Sequence, residues 1–252
     1  MSNGGMSGGP CLSNVGQATI SRILNENGIH PHRIEYYLEK RDSDFDVKMA
    51  QVLAVYQEVE VLRETQSEQA PLKVVLSYDE KPGVQAIANT APDRPPVPGG
   101  HGVIQRDHEY ERLGTLSILS GIDLLTGHVH YAVCERHRSA EFIEFLKEVD
   151  GYYPSDVKIE VILDNHSAHI SKQTKAYLDS VPGRFSFVFT PKHGSWLNII
   201  ESFFSKLSRT VLRHIRVQSK AELQQRIIQY LDELNEHPVP FRWRYGLHSS
   251  NV

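Results

Sequence analysis

The chain has 252 residues, 40% hydrophobic and 23% charged, an ordinary soluble globular composition with room for one large domain, or one domain and a small appendage. No apolar run approaches the ~18 residues of a membrane span and no basic-then-apolar leader opens the chain. Two distant cysteines, Cys11 and Cys134, argue against a disulfide framework or a cysteine zinc site and fit a reducing cytoplasm, and the net charge of −4 means that any nucleic-acid reading must rest on where charges sit.

In chain order, residues 1–17 are rich in Gly and Ser and are expected to be flexible. A short amphipathic helix is expected from Ala18 to Glu26, stopped by Asn27-Gly28, and "HPHRIEYYL" reads as extended around Pro31. Phe45, Met49, Val52, Leu53, Tyr56, Val59 and Leu62 keep helical spacing in a helix spanning Ser43 to Glu64, with Ser43 as its N-cap. Leu72 to Glu80 is a β-branched run ending in acids, and Ala91 to Gly102 is a Pro/Gly loop of a length that is usually functional or disordered. Two strands, Leu113–Ile122 and His128–Cys134, flank a turn at Leu125-Thr126-Gly127. A helix (Ser139–Val149), a strand (Val157–Leu163), a helix (Ser171–Leu178) and a strand (Phe185–Phe189) follow. A long helix from about Trp196, another from Lys220 to Asn235 and the aromatic tail "FRWRYGL" complete the chain. This order is that of an α/β fold with a mixed sheet.

The stretch "VILDNHSAH", Val161 to His169, runs a buried strand into a carboxylate and a polar cluster. Asp164 or Asn165 could simply cap the helix that follows. Among thirteen histidines, His166 and His169 could bind zinc with Asp164, but that spacing is not specific. A third reading groups three acids. Asp79 and Asp164 end predicted strands that, if adjacent and parallel, would set both carboxylates at one sheet edge, and Glu201 lies at the start of the next long helix. Three hard oxygen donors suit Mg²⁺ or Mn²⁺, and two such ions about 4 Å apart would serve phosphoryl transfer. Asp123 is a rival acid but falls in the turn signal. Lys206, Arg209, Arg213, Arg216 and Lys220 are spaced 3, 4, 3, 4 with no acid between, so a continuous helix would carry them as one stripe suited to a phosphate backbone.

"FTPKHGSWLNIIESFFSKLSR", with "SYDEK" and "LDNHSAH", resembles the transposases of bacterial insertion sequences in the mariner superfamily. The resemblance spans roughly Leu72 to Leu247 and also touches "DLLTGHV" and "RHRSAEFIEFL". It implies a ribonuclease-H-like (retroviral-integrase-like) core with a mixed five-stranded sheet flanked by helices, and an Asp-Asp-Glu triad at Asp79, Asp164 and Glu201. It further implies two Mg²⁺ ions (Mn²⁺ as substitute), cleavage of double-stranded DNA at terminal inverted repeats and strand transfer into target DNA at a TA step, a homodimer, and a bacterial cytoplasmic, nucleoid-associated location. Asn165, His166 and His169 then become candidates to support the site from outside the triad.

The family usually begins with paired helix-turn-helix modules. Here "NVGQATISRILNENGIHPHRIEYYL" resembles only the last recognition helix and linker. The expected domains are therefore a flexible 1–17, a helical remnant over 18–68 and a catalytic domain over 69–252. A non-catalytic DNA-binding remnant that regulates a full-length transposase, and a histidine-centred zinc hydrolase, are the alternative functions.

Overall fold

The computed structural model describes residues 16–31, 33–34, 42–65 and 73–241. Most of the Gly/Ser-rich N-terminus, much of "HPHRIEYYL" and the tail beyond Phe241 lie outside them. The chain divides into two compact units, Met1–Glu39 and Lys40–Val252. The first contains α1 (Gln17–Glu26), an amphipathic helix with no buried residue. It stops at Asn27, whose side-chain amide donates to the Ile23 carbonyl at 2.8 Å, and at Gly28, which takes φ +65°.

The second unit runs α2 (Phe45–Thr65), β1 (Lys73–Asn89), β2 (Tyr110–Asp123), β3 (Val129–Cys134), α3 (Ser139–Tyr152), β4 (Lys158–Leu163), α4 (Lys172–Ser180), β5 (Phe185–Phe189), α5 (Ile200–Leu207) and α6 (Lys220–Glu236). The strands form one mixed sheet in the order β3-β2-β1-β4-β5. β1–β2 and β2–β3 pair antiparallel, while β1–β4 and β4–β5 pair parallel. Parallel pairs need crossover connections, which α3 and α4 supply.

Side-chain alternation divides the core in two. Along β2, Leu116, Ile118 and Ile122 join one apolar cluster with Phe203, Phe204 and Leu207 of α5 and Leu223, Ile227 and Leu231 of α6. Leu119 joins the other, with Phe142, Phe145 and Leu146 of α3, Tyr78 of β1, and Val52, Val55, Tyr56 and Val59 of α2. Gly121 lets α3 sit close, since a Cβ there would lie 3.1 Å from Phe145 Cζ.

Three expectations are corrected. First, β1 does not stop at Glu80 but continues to Asn89. Pro82-Gly83 is absorbed as a β-bulge between Lys81 and Val84, with Gly83 at φ +67°. A second register shift between Ala86 and Ile87 faces Gly114, which takes φ +119°. Second, α2 is not separate from the sheet, because its apolar face is buried in the same core as β1. A boundary after residue 68 would cut through that core. Third, Asp42 rather than Ser43 organises the start of α2, accepting from the Asp44 amide (3.1 Å), the Lys48 ammonium (2.9 Å) and the Lys192 amide (3.0 Å). Among the described residues no helix is long and apolar enough to cross a membrane.

Tyr56 ties α2 to the chain before α5. Its hydroxyl donates to the Leu197 carbonyl (2.7 Å) and accepts from the Ile199 amide (3.2 Å). Tyr56→Phe is expected to cost about 1–3 kcal/mol in urea unfolding, because both buried backbone groups lose their partner. An unchanged midpoint would show that the pair is re-satisfied. Asp42 provides a pH test. Its contacts with the Lys192 amide, Lys48 and the Asp44 amide hold its pKa down at about 2. A depressed carboxylate stabilises the fold above its unfolded pKa and loses that contribution as pH falls through the folded value. The stability difference between wild type and Asp42→Asn is therefore expected to be constant above about pH 5 and to shrink toward about pH 2. A pH-independent difference would remove Asp42 from the acid response.

Candidate active site

Asp79 lies within β1, and Asp164 follows the last residue of β4. The parallel register pairs Lys73 with Lys158 through Ser77 with Ile162, and continuing it two residues sets Asp79 level with Asp164. Leu163 in turn pairs with Phe189 of β5, so the chain after Asp164 runs beside Thr190. This is the carboxyl edge of the parallel strands, where α/β folds bind ligands.

Glu201 reaches the same strand by a different route. It occupies the first turn of α5, whose approach is a 3₁₀ turn at Ser195–Leu197. Asn198, 3% exposed, fastens that approach to β1. Its amide nitrogen donates to the Tyr78 carbonyl (2.8 Å), and its amide oxygen accepts from Ser77 Oγ (2.5 Å). Ser77 Oγ also accepts from the Ile200 amide at 3.1 Å. The residues flanking Asn198, Leu197 and Ile199, are those held by Tyr56. Glu201 is thus indexed to the two β1 residues immediately before Asp79.

The electrostatics link the three acids. Burial pushes the Asp79 carboxyl up to about 7; the Glu80 amide, which donates to it at 2.8 Å, opposes this, and the charges of Glu80, Asp164 and Glu201 add to the rise. Asp164 goes the other way. Its hydrogen bond from His169 lowers its pKa against the cost of burial, and the His166 amide, donating at 2.9 Å, adds to the effect. Both donors reach Asp164 Oδ1.

His169 is buried and sits in a turn, not on a helix. Its Nδ1 lies 2.9 Å from the Asp164 carbonyl and 3.1 Å from Asp164 Oδ1. Its Nε2 lies 2.9 Å from Glu80 Oε1, which also accepts from the Tyr78 hydroxyl at 2.9 Å. Burial alone would lower the His169 pKa, but the bonds to Asp164 and Glu80 outweigh it and hold the ring at about 10.

Asn165 and Asp164 do not cap the following helix. Ser171 does, accepting from the Thr174 amide, while the Asn165 side chain donates to the Thr190 carbonyl (3.0 Å) across to the end of β5. Glu80, His166 and His169 present possible metal-ligand atoms within 4.8 Å of one another, the one such grouping among the described residues. Asp123 accepts from the Leu125 amide and the Thr126 hydroxyl, both at 2.8 Å, and so serves the hairpin turn.

The five basic residues do not form one helical stripe. α5 ends at Leu207, a π-helical turn covers Ser208–Leu212, and Lys220 opens a separate helix. Lys206 lines an apolar pocket with Val129, Phe203 and Leu234. Arg216 donates to Asn89 Oδ1 (2.9 Å), and Lys220 pairs with Glu135. Arg209 and Arg213 are exposed and make no ion pair among the described residues. With Arg216 and Lys81 they line a groove that no acid enters, and Lys81 stands two positions after Asp79. Its ammonium lies 6.0 Å from the Phe204 ring centre of α5.

Sequence reasoning missed Lys81, Asn198, Ser77 and Tyr56. Lys81 stands in "SYDEK" and Asn198 in "WLNIIES", both singled out for their acids, but nothing local marks the partners.

Residues 83–224 match a family described as DDE superfamily endonuclease. The chain is 26% identical over 228 residues to the insertion element IS630 uncharacterized 39 kDa protein of Shigella sonnei, covering 90% of this chain and 61% of that relative. It is similar in structure to the Mos1 mariner paired end complex with Mn (TM-score 0.52, 13% identity, 88% of this chain and 69% of that one). It is also similar to the catalytic domain of Mos1 mariner transposase (TM-score 0.51, 11% identity, 79% and 85%). The mixed five-stranded sheet with its flanking helices is therefore the ribonuclease-H-like fold expected from the sequence. With the family match covering more than half of its length, the chain belongs to the DDE superfamily of endonucleases.

Proposed function

We propose that this chain is a DNA transposase that makes metal-dependent phosphodiester cuts at element ends and joins them to target DNA, with Asp79, Asp164 and Glu201 as its metal-binding catalytic residues. The observation that carries this reading is the shared level of Asp79 and Asp164 on adjacent parallel strands, with Glu201 fastened to the same stretch of β1 through Asn198. The likeness to an insertion-element protein supports the transposition step, and the Mos1 complexes with transposon ends support DNA as partner.

The donor set fits a hard divalent cation. All three side chains offer oxygen, and the Asp79 carboxyl, raised toward neutrality in part by its acidic neighbours, is a group that a nearby cation would stabilise as the anion. Mos1 is described with Mn and with Mg, which supports a divalent ion; the reading here is Mg²⁺, with Mn²⁺ as substitute, as a pair of ions. When bound, such ions supply an activated attacking oxygen and charge stabilisation for the leaving oxygen. The chain's own part is positional. Asp79 and Asp164 are set by strand register, Glu201 by the Asn198 anchor, and the groove of Lys81, Arg209 and Arg213 holds a phosphodiester backbone leading away from the acids. The loop from Thr90 to Glu109 exposes Val97, Val103 and Ile104, which supports the homodimer.

Asp79→Asn, Asp164→Asn and Glu201→Gln are each expected to abolish Mn²⁺-dependent nicking of a labelled duplex while leaving duplex binding intact. Undiminished nicking in any one variant removes that residue from the triad. In fluorescence anisotropy with a DNA duplex, Arg209→Ala and Arg213→Ala are each expected to reduce the slope of log affinity against log salt by about one. Lys220→Ala, whose charge is paired with Glu135, is expected to leave that slope unchanged. The reverse pattern would move the DNA path off the groove.

A further inference from the structure

The strongest unabsorbed feature beside the acids is the chain of contacts through His169. The side chain is fully enclosed, whereas that of Asp164 is 49% exposed. Its ring is walled by Phe142, with centroids 4.6 Å apart, and by the edge of Tyr78 at 5.5 Å. The turn that carries it is tied down by the Thr174 hydroxyl, which donates to the Ala168 carbonyl at 2.6 Å, and by the His169 amide, which donates to the His166 carbonyl at 3.0 Å. Glu80, whose side chain is 8% exposed, receives Nε2 at one end, and Asp164 receives Nδ1 at the other. A ring fixed by packing and by both nitrogens has one orientation, and together with the His166 amide it makes Oδ1 the occupied oxygen of Asp164.

We propose that His169, backed by Glu80 and Tyr78, is a positioning residue that engages Asp164 at Oδ1 and so leaves Oδ2 as the oxygen presented to a divalent cation. The proposal rests on the reading of Asp164 as a metal ligand. It also accounts for Glu80, which is not itself a ligand but orients the histidine that orients the aspartate. Partners of this kind, one shell behind the ligands, typically change metal affinity by 10–100-fold when removed.

The rival use of the same atoms is a metal site made by Glu80, His166 and His169, and the buried, unpartnered Nδ1 of His166 is what favours it. In that site His169 Nε2 would have to leave Glu80 for the ion.

The two ends of the imidazole can be removed separately. The amide nitrogen of Asn reaches about as far as Nδ1, and that of Gln about as far as Nε2. Mn²⁺ binding to the full chain, read by calorimetry and by loss of the free-ion electron paramagnetic resonance signal, is therefore compared across His169→Asn, His169→Gln and Asp164→Asn, with thermal melts alongside. The expected result is a Mn²⁺ affinity about 10-fold or more weaker for His169→Gln, weakened less for His169→Asn, which keeps the Asp164 contact without the Glu80 brace, and weakest for Asp164→Asn, at similar melting temperatures for the two His169 variants. Equal affinities for the two His169 variants, with Asp164→Asn weakened, would overturn the positioning role alone. Wild-type Mn²⁺ affinity in Asp164→Asn would overturn the triad reading and the role with it. A zinc ion that binds the purified chain tightly and is lost in His166→Ala would also overturn it, by making His169 a ligand.

Discussion

The third acid at the carboxyl edge of this sheet is placed by one side-chain amide. Asn198 satisfies both of its functional groups on consecutive residues of β1, and it is buried while doing so. A buried amide left unpaired costs about 1–3 kcal/mol, so the contact is strongly directional: the approach to α5 cannot slide along β1 without breaking both bonds. Strand pairing aligns Asp79 with Asp164 at no further cost, since it follows from the ladder itself. The third acid has no ladder to place it. A helix packed only by Phe203, Phe204 and Leu207 could rotate or shift by a fraction of a turn and still bury the same area, and Asn198, together with Tyr56, removes that freedom.

A second constraint is electrostatic. Several carboxylates share a small, partly buried region, and the fold meets the repulsion in two ways. On the Asp164 side it supplies a histidine and an amide as donors. On the Asp79 side the opposing donor, the Glu80 amide, is outweighed, and the carboxyl is left raised. The difference divides the acids into one that is satisfied by protein groups and one that gains most from a cation.

Features set by local pattern were legible in the sequence. Val161–Leu163 and the β-branched run before Asp79 marked two strands that lead into acids, and the start of α5 was visible around Glu201. What was illegible depends on distant partners or on a local exception. The acceptors and donors of Asn198 lie about 120 positions away, and those of Tyr56 more than 140, where no periodicity reaches. The full length of β1 was not legible, because only pairing with β2 shows that the strand absorbs Pro82-Gly83 and runs on to Asn89. The 3, 4, 3, 4 spacing of basic residues persisted through a π turn and a loop, so spacing without a continuous hydrogen-bond ladder misassigned the face. The caps went wrong for a related reason: Asp164 and Asn165 are good capping types, but a turn separates them from the helix that Ser171 begins.

The bulge at Pro82-Gly83 also acts as a mechanical joint. Inboard of it, β1 is locked between β2 and β4 and carries the acids; outboard, it pairs with β2 alone and leads to the loop from Thr90 to Glu109. A register mismatch that has already been absorbed at one point need not propagate past it. The outer ribbon can lengthen, shorten or lean toward a partner while Asp79 keeps its level with Asp164. A change of length in that arm is therefore mechanically separated from the level that Asp79 shares with Asp164.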